Sequence, residues 1–427
     1  MVGQRISNRL IYLIVAVGIA LRLIWIALYP MEPLEGNLSD ANYYFETARN
    51  IALGQGATFH GVSTAYFPVG YSGYLSICFG LVGSCSFKVA QMANLLPSVL
   101  IMIGTYFLVK RFDIGAAKLS LCIISLSPNQ IVWSGITMSE VLFTSLVLAT
   151  ILACVVAFSS NGVKQWLAFG WAGFSGGAAT LCRTQGIMLL PFLLVLCMYA
   201  LKPTKLHDRI AKAMFLVIVW ASVLAPWVIR NHYVIGTWSL ATNGGVNFYI
   251  SAHKGATGGY HFPDHMINVD DLGEAEKDKM YFLEGGRYIL ANPVEYVSLI
   301  PRKLLRLWGP ESTLTLRFDL NNKLPHSLAL FILGTSQVIH LGIIMSILYG
   351  LWKKPKLYVS PSVLAIATVA IALSVVSMVF FGGARYNYPM SPFLLILALL
   401  PWFDSHLSSP HGKHIIDPRL TSQEIYS

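Results

Sequence analysis

The chain has 427 residues, of which 55% are hydrophobic and only 12% charged, with a formal net charge of +10. A soluble domain carries about a quarter charged residues, so the composition excludes an ordinary soluble fold and predicts an all-α, polytopic membrane protein. The basic excess lies in short loops between apolar runs, such as Lys110-Arg111, 202–212 and 353–356, where positive-inside sorting accounts for it and nothing points to a nucleic-acid partner.

The first apolar run, 10–29, is too long for a cleaved signal peptide, is poorly followed by small residues, and holds Arg22 inside it. It predicts a retained helix entering from the cytoplasm. Residues 30–88 then form a long external segment, rich in glycine and aromatics, in which 71–82 is apolar enough to lie on the membrane as an interfacial helix. Runs at 89–109, 114–127, 138–158, 166–181, 187–201 and 214–228 follow, joined by short loops. A full span needs about 20 residues, so the shorter runs borrow flanking residues.

A second external segment, 231–325, opens with Thr242-Asn243-Gly244-Gly245 and passes through an acidic stretch at 264–278. Over 280–308 it becomes amphipathic, mixing Leu299, Ile300, Leu304, Leu307 and Trp308 with Arg302, Lys303 and Arg306, as suits a helix among anionic headgroups. The last runs are 328–351, 363–381 and 390–403, giving about ten transmembrane helices in one domain, 1–403, followed by a polar cytoplasmic tail, 404–427, expected to be disordered. The six cysteines show no metal-ligand spacing and read as small buried hydrophobes; Cys78 and Cys85 alone face the outside closely enough to pair.

Long loops in a compact protein are usually functional, which directs attention to the outer face. Asp40 follows the first helix closely enough to fold back over the membrane rim, where a carboxylate can act as a general base, beside the aromatics Tyr43 and Tyr44. Glu140 begins a strongly apolar run, and a carboxylate at membrane depth is costly and usually functional. A solvated loop acid and a helix-capping acid are the plainer readings of these two.

Arg22, Arg183, Arg230 and Arg385 fall at outer helix ends with no matching excess of buried acids, a pattern that suits an anionic headgroup. Snorkelling to the interface is the plainer reading. Arg385-Tyr386 lies in the short turn 382–389, which cannot stray from the bilayer and so is positioned to touch a lipid phosphate. Asn37-Leu38-Ser39 is a formal but weak glycosylation sequon, and there is no HExxH pair, phosphate-cradling glycine loop or nucleophile elbow.

These residues, taken in order, resemble the GT-C superfamily of membrane glycosyltransferases, in particular a bacterial branch that includes aminoarabinose transferases and protein O-mannosyltransferases. The resemblance is carried by Asp40 with Tyr43-Tyr44, Phe67-Pro68-x-Gly70-Tyr71, Ser139-Glu140, Pro226-Trp227-x-x-Arg230-Asn231 with Gly236, and Arg385-Tyr386-x-x-Pro389. It implies inverting transfer of a hexosyl or pentosyl group from a polyprenyl-phosphate donor to a hydroxyl of a glycan, lipid or protein acceptor. Transfer would take place on the outer face of a bacterial inner membrane.

The resemblance also implies Asp40 as base and Arg385 with Tyr386 at the donor phosphate. Glu140 is then expected to orient acceptor or cation, Arg183 and Arg230 to join the phosphate site, and Tyr43, Tyr44, Tyr71 and Asn243 to line the substrate site. The first loop carries one Asp in place of an Asp-Glu pair, no ligand cluster supports a divalent metal, and no cofactor is expected. A transporter or flippase for a lipid-linked sugar is the rival reading; such proteins show inverted repeats and interrupted helices, and the sequence displays neither.

Overall fold

The computed structural model describes residues 7–28, 40–202, 204–309 and 325–403. The sequon at Asn37, the tail 404–427 and positions 310–324 lie outside the described residues. The described residues are mostly helical. The ten apolar runs form α1 (Asn8–Leu28), α4–α5 (Phe87–Ala93 and Leu95–Lys110), α6 (Ile114–Leu126), α8 (Glu140–Phe158), α9 (Gly162–Cys182), α10 (Leu189–Ala200), α11 (Leu206–Ile235), α16 (His326–Lys353), α17 (Pro361–Val379) and α18 (Ser391–Leu399). Six stretches, α1, α4–α5, α8, α11, α16 and α17, are long and apolar enough to cross a membrane; the other four runs make shorter or less apolar helices.

Close helix contact rests on small residues, as membrane packing without a hydrophobic drive requires. On α9 the sequence Gly173-x-x-Gly176-Gly177 faces α11, and a Cβ at Gly176 would fall 2.1 Å from the ring of Trp220. The indole Nε1 of Trp220 donates to Thr180 Oγ1 at 3.2 Å, so the buried ring is both packed and satisfied.

The segment between the runs 114–127 and 138–158 opens with a short helix, which the sequence did not disclose. α6 ends at Ser127 and a short α7 (Pro128–Ser134) follows. Pro128 has no N–H to offer the carbonyl four residues earlier. Arg22, fully buried in α1, supplies the missing donors: Nη2 reaches Ile124 O at 3.2 Å and Nη1 reaches Ser125 O at 2.8 Å. The remaining bonds go to Gly18 O and Ser98 Oγ, each at 2.8 Å. Arg22 is therefore a clamp on a helix break, and its expected place in a headgroup site is corrected.

The two long segments expected to be external form a second layer. The first contains α2 (Asp40–Ala52), a hairpin of β1 (Thr58–Phe59) and β2 (Val62–Ser63), and α3 (Gly70–Val82), the predicted interfacial helix. The hairpin loop His60-Gly61 has positive φ at both positions, the conformation a two-residue turn needs. The second contains α12 (Gly244–Ser251), α13 (Glu274–Ala291), α14 (Pro293–Ser298) and α15 (Ile300–Trp308), so the amphipathic stretch is three helices, broken at Pro293. Glu274 joins the layers' two halves: its Oε1 accepts from Ala65 N at 2.7 Å and from Thr242 Oγ1 at 2.6 Å. All six cysteines are free.

Candidate active site

Asp40 is the first residue of α2 and Glu140 the first of α8. Each carboxylate thus stands at a helix N-terminus, where unpaired N–H groups favour negative charge. Arg183 directly follows α9, and Arg385 lies in the 3-10 turn Ala384–Met390 after α17. Four separate elements bring two acids and two guanidiniums together.

Arg385 is the hub. Its Nη2 donates to Asp40 Oδ2 at 2.8 Å and its Nε to Glu140 Oε1 at 2.5 Å. Arg183 Nη1 reaches the same Glu140 oxygen at 3.0 Å and Ser139 Oγ at 3.0 Å. Ser139 also meets the hydroxyl of Tyr44 at 3.2 Å, and burial pushes that phenol up, which keeps it a neutral hydrogen-bonding group. The ring of Tyr386 lies 5.8 Å from the Arg183 guanidinium and 5.9 Å from that of Arg385.

The two arginines are matched by two acids, contrary to the expectation of uncompensated cations. The pairing crosses 345 positions of sequence between Asp40 and Arg385, so only the fold reveals it. The cluster is also graded. The Glu140 side chain is wholly buried, whereas those of Asp40 and Arg385 are 35% and 23% exposed. A buried pair broken on one side is costly, while an exposed pair is worth about 0–1 kcal/mol. The Arg385–Glu140 bond is thus the fixed half and the Arg385–Asp40 bond the exchangeable half. Glu140 Oε2 is buried with no hydrogen-bond partner among the described residues, an acceptor that a ligand hydroxyl would satisfy.

Arg385 is positioned from the outer layer. Gly382 N donates to Gly258 O at 3.0 Å, and a Cβ on Gly382 would fall 1.8 Å from the carbonyl oxygen of Lys303. Lys303 reaches across to the end of α17, where Nζ donates to Met378 O at 3.2 Å and lies 4.1 Å from the Tyr296 ring centroid. Burial pushes this amine down to about 8. The pair Gly382-Gly383 beside Arg385 was the sequence signal for this close approach; nothing in the sequence pointed to Lys303 as its partner.

The other candidates fall elsewhere. Arg230 does not join the charged cluster: Nη1 donates to Thr64 O at 2.9 Å and Nη2 to Ala57 O at 3.1 Å, holding the first outer loop. Tyr43 meets Thr64 in that loop, its hydroxyl in a short hydrogen bond with Thr64 Oγ1. Tyr71 packs edge-on against Tyr44 at 5.0 Å and donates to Asn94 Oδ1, which makes it a support for the site wall. Asn243 precedes α12, whose Gly245 N–H is taken by Asp278; among the described residues no hydrogen bond links Asn243 to the cluster. Tyr44, Asp40, Glu140, Arg183, Arg385 and Tyr386 are the candidates brought together.

Among the described residues no group of three His, Cys, Asp or Glu side chains converges, and both guanidiniums already converge on Glu140 Oε1.

Residues 68–229 match the family model described as dolichyl-phosphate-mannose-protein mannosyltransferase. The fold is similar to that of ArnT from Cupriavidus metallidurans bound to undecaprenyl phosphate, with a TM-score of 0.60 and 14% identity over 92% of this chain and 60% of that one. It is also similar to the archaeal oligosaccharyltransferase AglB from Archaeoglobus fulgidus in complex with an inhibitory peptide and a dolichol-phosphate, with a TM-score of 0.53 and 15% identity over 92% of this chain and 50% of that one. This is the GT-C membrane glycosyltransferase fold. The chain spans 50–60% of the length of these two GT-C structures. Among curated proteins none matches it in sequence.

Proposed function

We infer that this GT-C protein transfers a glycosyl group, with inversion, from a polyprenyl-phosphate donor to an acceptor hydroxyl at the outer face of a bacterial inner membrane, without a cofactor. The observation that carries this reading is the 2.8 Å contact between a partly exposed carboxylate and a partly exposed guanidinium, Asp40 and Arg385, backed by buried Glu140. Inversion needs a base on one side of the reacting carbon and charge stabilisation at the leaving group on the other.

The phosphate of the donor competes with Asp40 for Arg385. Glu140 keeps the guanidinium in place while Nη2 turns from carboxylate to phosphate, and Arg183 and the ring of Tyr386 border the same space. Asp40, released, accepts the proton of the attacking hydroxyl. The hydroxyl oxygen forms the new bond to the anomeric carbon, the bond from that carbon to the phosphate oxygen breaks, and the polyprenyl phosphate leaves with the electron pair. Its added charge falls on the arginines.

The test uses the full chain in proteoliposomes with native membrane acceptor and a polyprenyl-phosphate sugar labelled in the sugar. Label in a product other than the donor, absent with Asp40→Asn, is the expected result. Intact donor moved to the opposite leaflet, with no bond broken, would instead establish the transporter reading.

A further inference from the structure

α14 and α15 run on as one helical rod, 293–308, because Leu299 between them keeps helical φ and ψ. Tyr296, Leu299, Lys303 and Leu307, three or four residues apart, share its inner face. This face docks on α17, one of the stretches long and apolar enough to cross a membrane. Tyr296 donates to Val379 O, Lys303 Nζ to Met378 O at 3.2 Å, and Trp308 Nε1 to Ser374 Oγ at 3.0 Å. From Tyr296 to Trp308 the rod runs about 18 Å, yet its contacts move only from Val379 to Ser374, about 8 Å along α17. The rod therefore lies aslant across the last turns of a membrane span, at the depth of lipid headgroups.

The opposite face is apolar and open. Val294, Val297 and Leu305, again at helical spacing, are 82%, 58% and 73% exposed. Arg302 and Arg306 flank this stripe, both exposed. The Arg302 stem passes Gly258, and the Arg306 guanidinium lies over Gly259, where a Cβ would fall 2.7 Å from Nη1. Among the described residues neither guanidinium has a carboxylate or hydrogen-bond partner. Glu295 is the one acid in 293–308, and a hydrogen bond from the Tyr288 phenol engages it. An apolar stripe edged by unpaired cations is the pattern of a helix lying in anionic lipid. Depth selects the occupant, since a face turned away from a membrane span at its end meets lipid.

We propose that this face of α14–α15 is a docking surface for anionic phospholipid of the surrounding bilayer. Acyl chains cover Val294, Val297 and Leu305, and the headgroup phosphate sits between Arg302 and Arg306, whose guanidiniums can each grip it with two parallel hydrogen bonds. The surface is separate from the charged cluster and does not depend on the transferase reading. It adjoins the contact of Gly382 with Gly258 and Lys303, so the bound lipid lies beside the turn that carries Arg385.

Photo-crosslinking tests it. The full chain, with a benzophenone amino acid in place of Leu305, is placed in nanodiscs of equal phosphatidylglycerol and phosphatidylcholine with matched chains, and the mass of the adduct names the lipid. Phosphatidylglycerol should lead by about tenfold at low salt and fall toward parity in high salt. The lead should vanish when Arg302→Gln and Arg306→Gln are combined, and persist when Arg302→Lys and Arg306→Lys, which keep the charge, are combined. Adducts in proportion to the bilayer composition, an excess unchanged by the glutamine pair, or an adduct to protein in place of lipid would each overturn the proposal. Displacement of the phosphatidylglycerol adduct by an equimolar amount of polyprenyl phosphate would make the face a donor site and overturn it as well.

Discussion

Arg22 and Arg385 are the same side chain at two depths of one molecule, and they show how an arginine in a membrane protein becomes either structure or chemistry. Arg22 is wholly buried, and all three of its nitrogens donate, to three carbonyls and one hydroxyl. Its partners are neutral and fixed by backbone, so no incoming anion can displace them cheaply. Arg385 is paired with carboxylates, one of them partly exposed, and among the described residues its Nη1 makes no hydrogen bond. The difference lies in the partners: an arginine on main-chain carbonyls is a rivet, whereas one on an exchangeable carboxylate can pass to a substrate.

The widest separation between the two regions comes from substitutions at the charged cluster. Asp40→Asn keeps shape but cannot take the hydroxyl proton, so turnover should fall by about two to four orders of magnitude with expression unchanged. Initial rates in proteoliposomes check this, and more than a tenth of wild-type turnover would mean that another group is the base. Arg385→Ala removes a donor aimed at developing phosphate charge and should cost about 10²–10³-fold in turnover. Arg385→Lys, which keeps charge but loses the planar fork, should fall between alanine and wild type, read as kcat and KM for the donor separately.

Arg22→Leu sharpens the contrast from the other side. It orphans the carbonyls at the Pro128 break, at about 1–3 kcal/mol for each unsatisfied group. The melting temperature in detergent should drop, while donor KM of the surviving folded protein stays at the wild-type value. A selective rise in donor KM would put Arg22 in the phosphate site after all.

The smallest effect concerns Lys303. Its amine is depressed from its ordinary 10.5 to about 8 by burial, so between those values the unfolded chain binds the more protons and stability rises with pH. The burial cost of the charged amine is fully present below about pH 8 and is relieved as pH climbs toward about 10.5. Subtracting the melting curve of Lys303→Met from that of the wild type should show this slope in that window only. A flat difference would show that the amine titrates normally.

Much of the fold was legible because membrane helices announce themselves by composition: the ten apolar runs became helices, and 71–82 became the helix α3. The run 114–127 stops at the Pro128 break, but the helix α7 after it and the repair of the break by Arg22, about a hundred positions earlier, could not be read because both depend on packing. At the site, Asp40, Glu140, Arg183, Arg385 and Tyr386 could be picked out because charges at outer helix ends are conspicuous against a sequence only 12% charged. Which acid meets which arginine could not be read, since pairing is a property of helix packing. Arg230 looked like its neighbours in sequence but faces the hairpin carbonyls.

The account turns on a handover of Arg385 from Asp40 to the donor phosphate. The most direct test is the affinity of wild type, Asp40→Asn and Arg385→Ala for polyprenyl phosphate in nanodiscs. Replacing Asp40 removes the competitor and leaves the cluster with a net positive charge. Asp40→Asn should therefore bind the lipid about two- to tenfold more tightly although it cannot turn over, and Arg385→Ala more weakly. Equal or weaker binding by Asp40→Asn would contradict the handover.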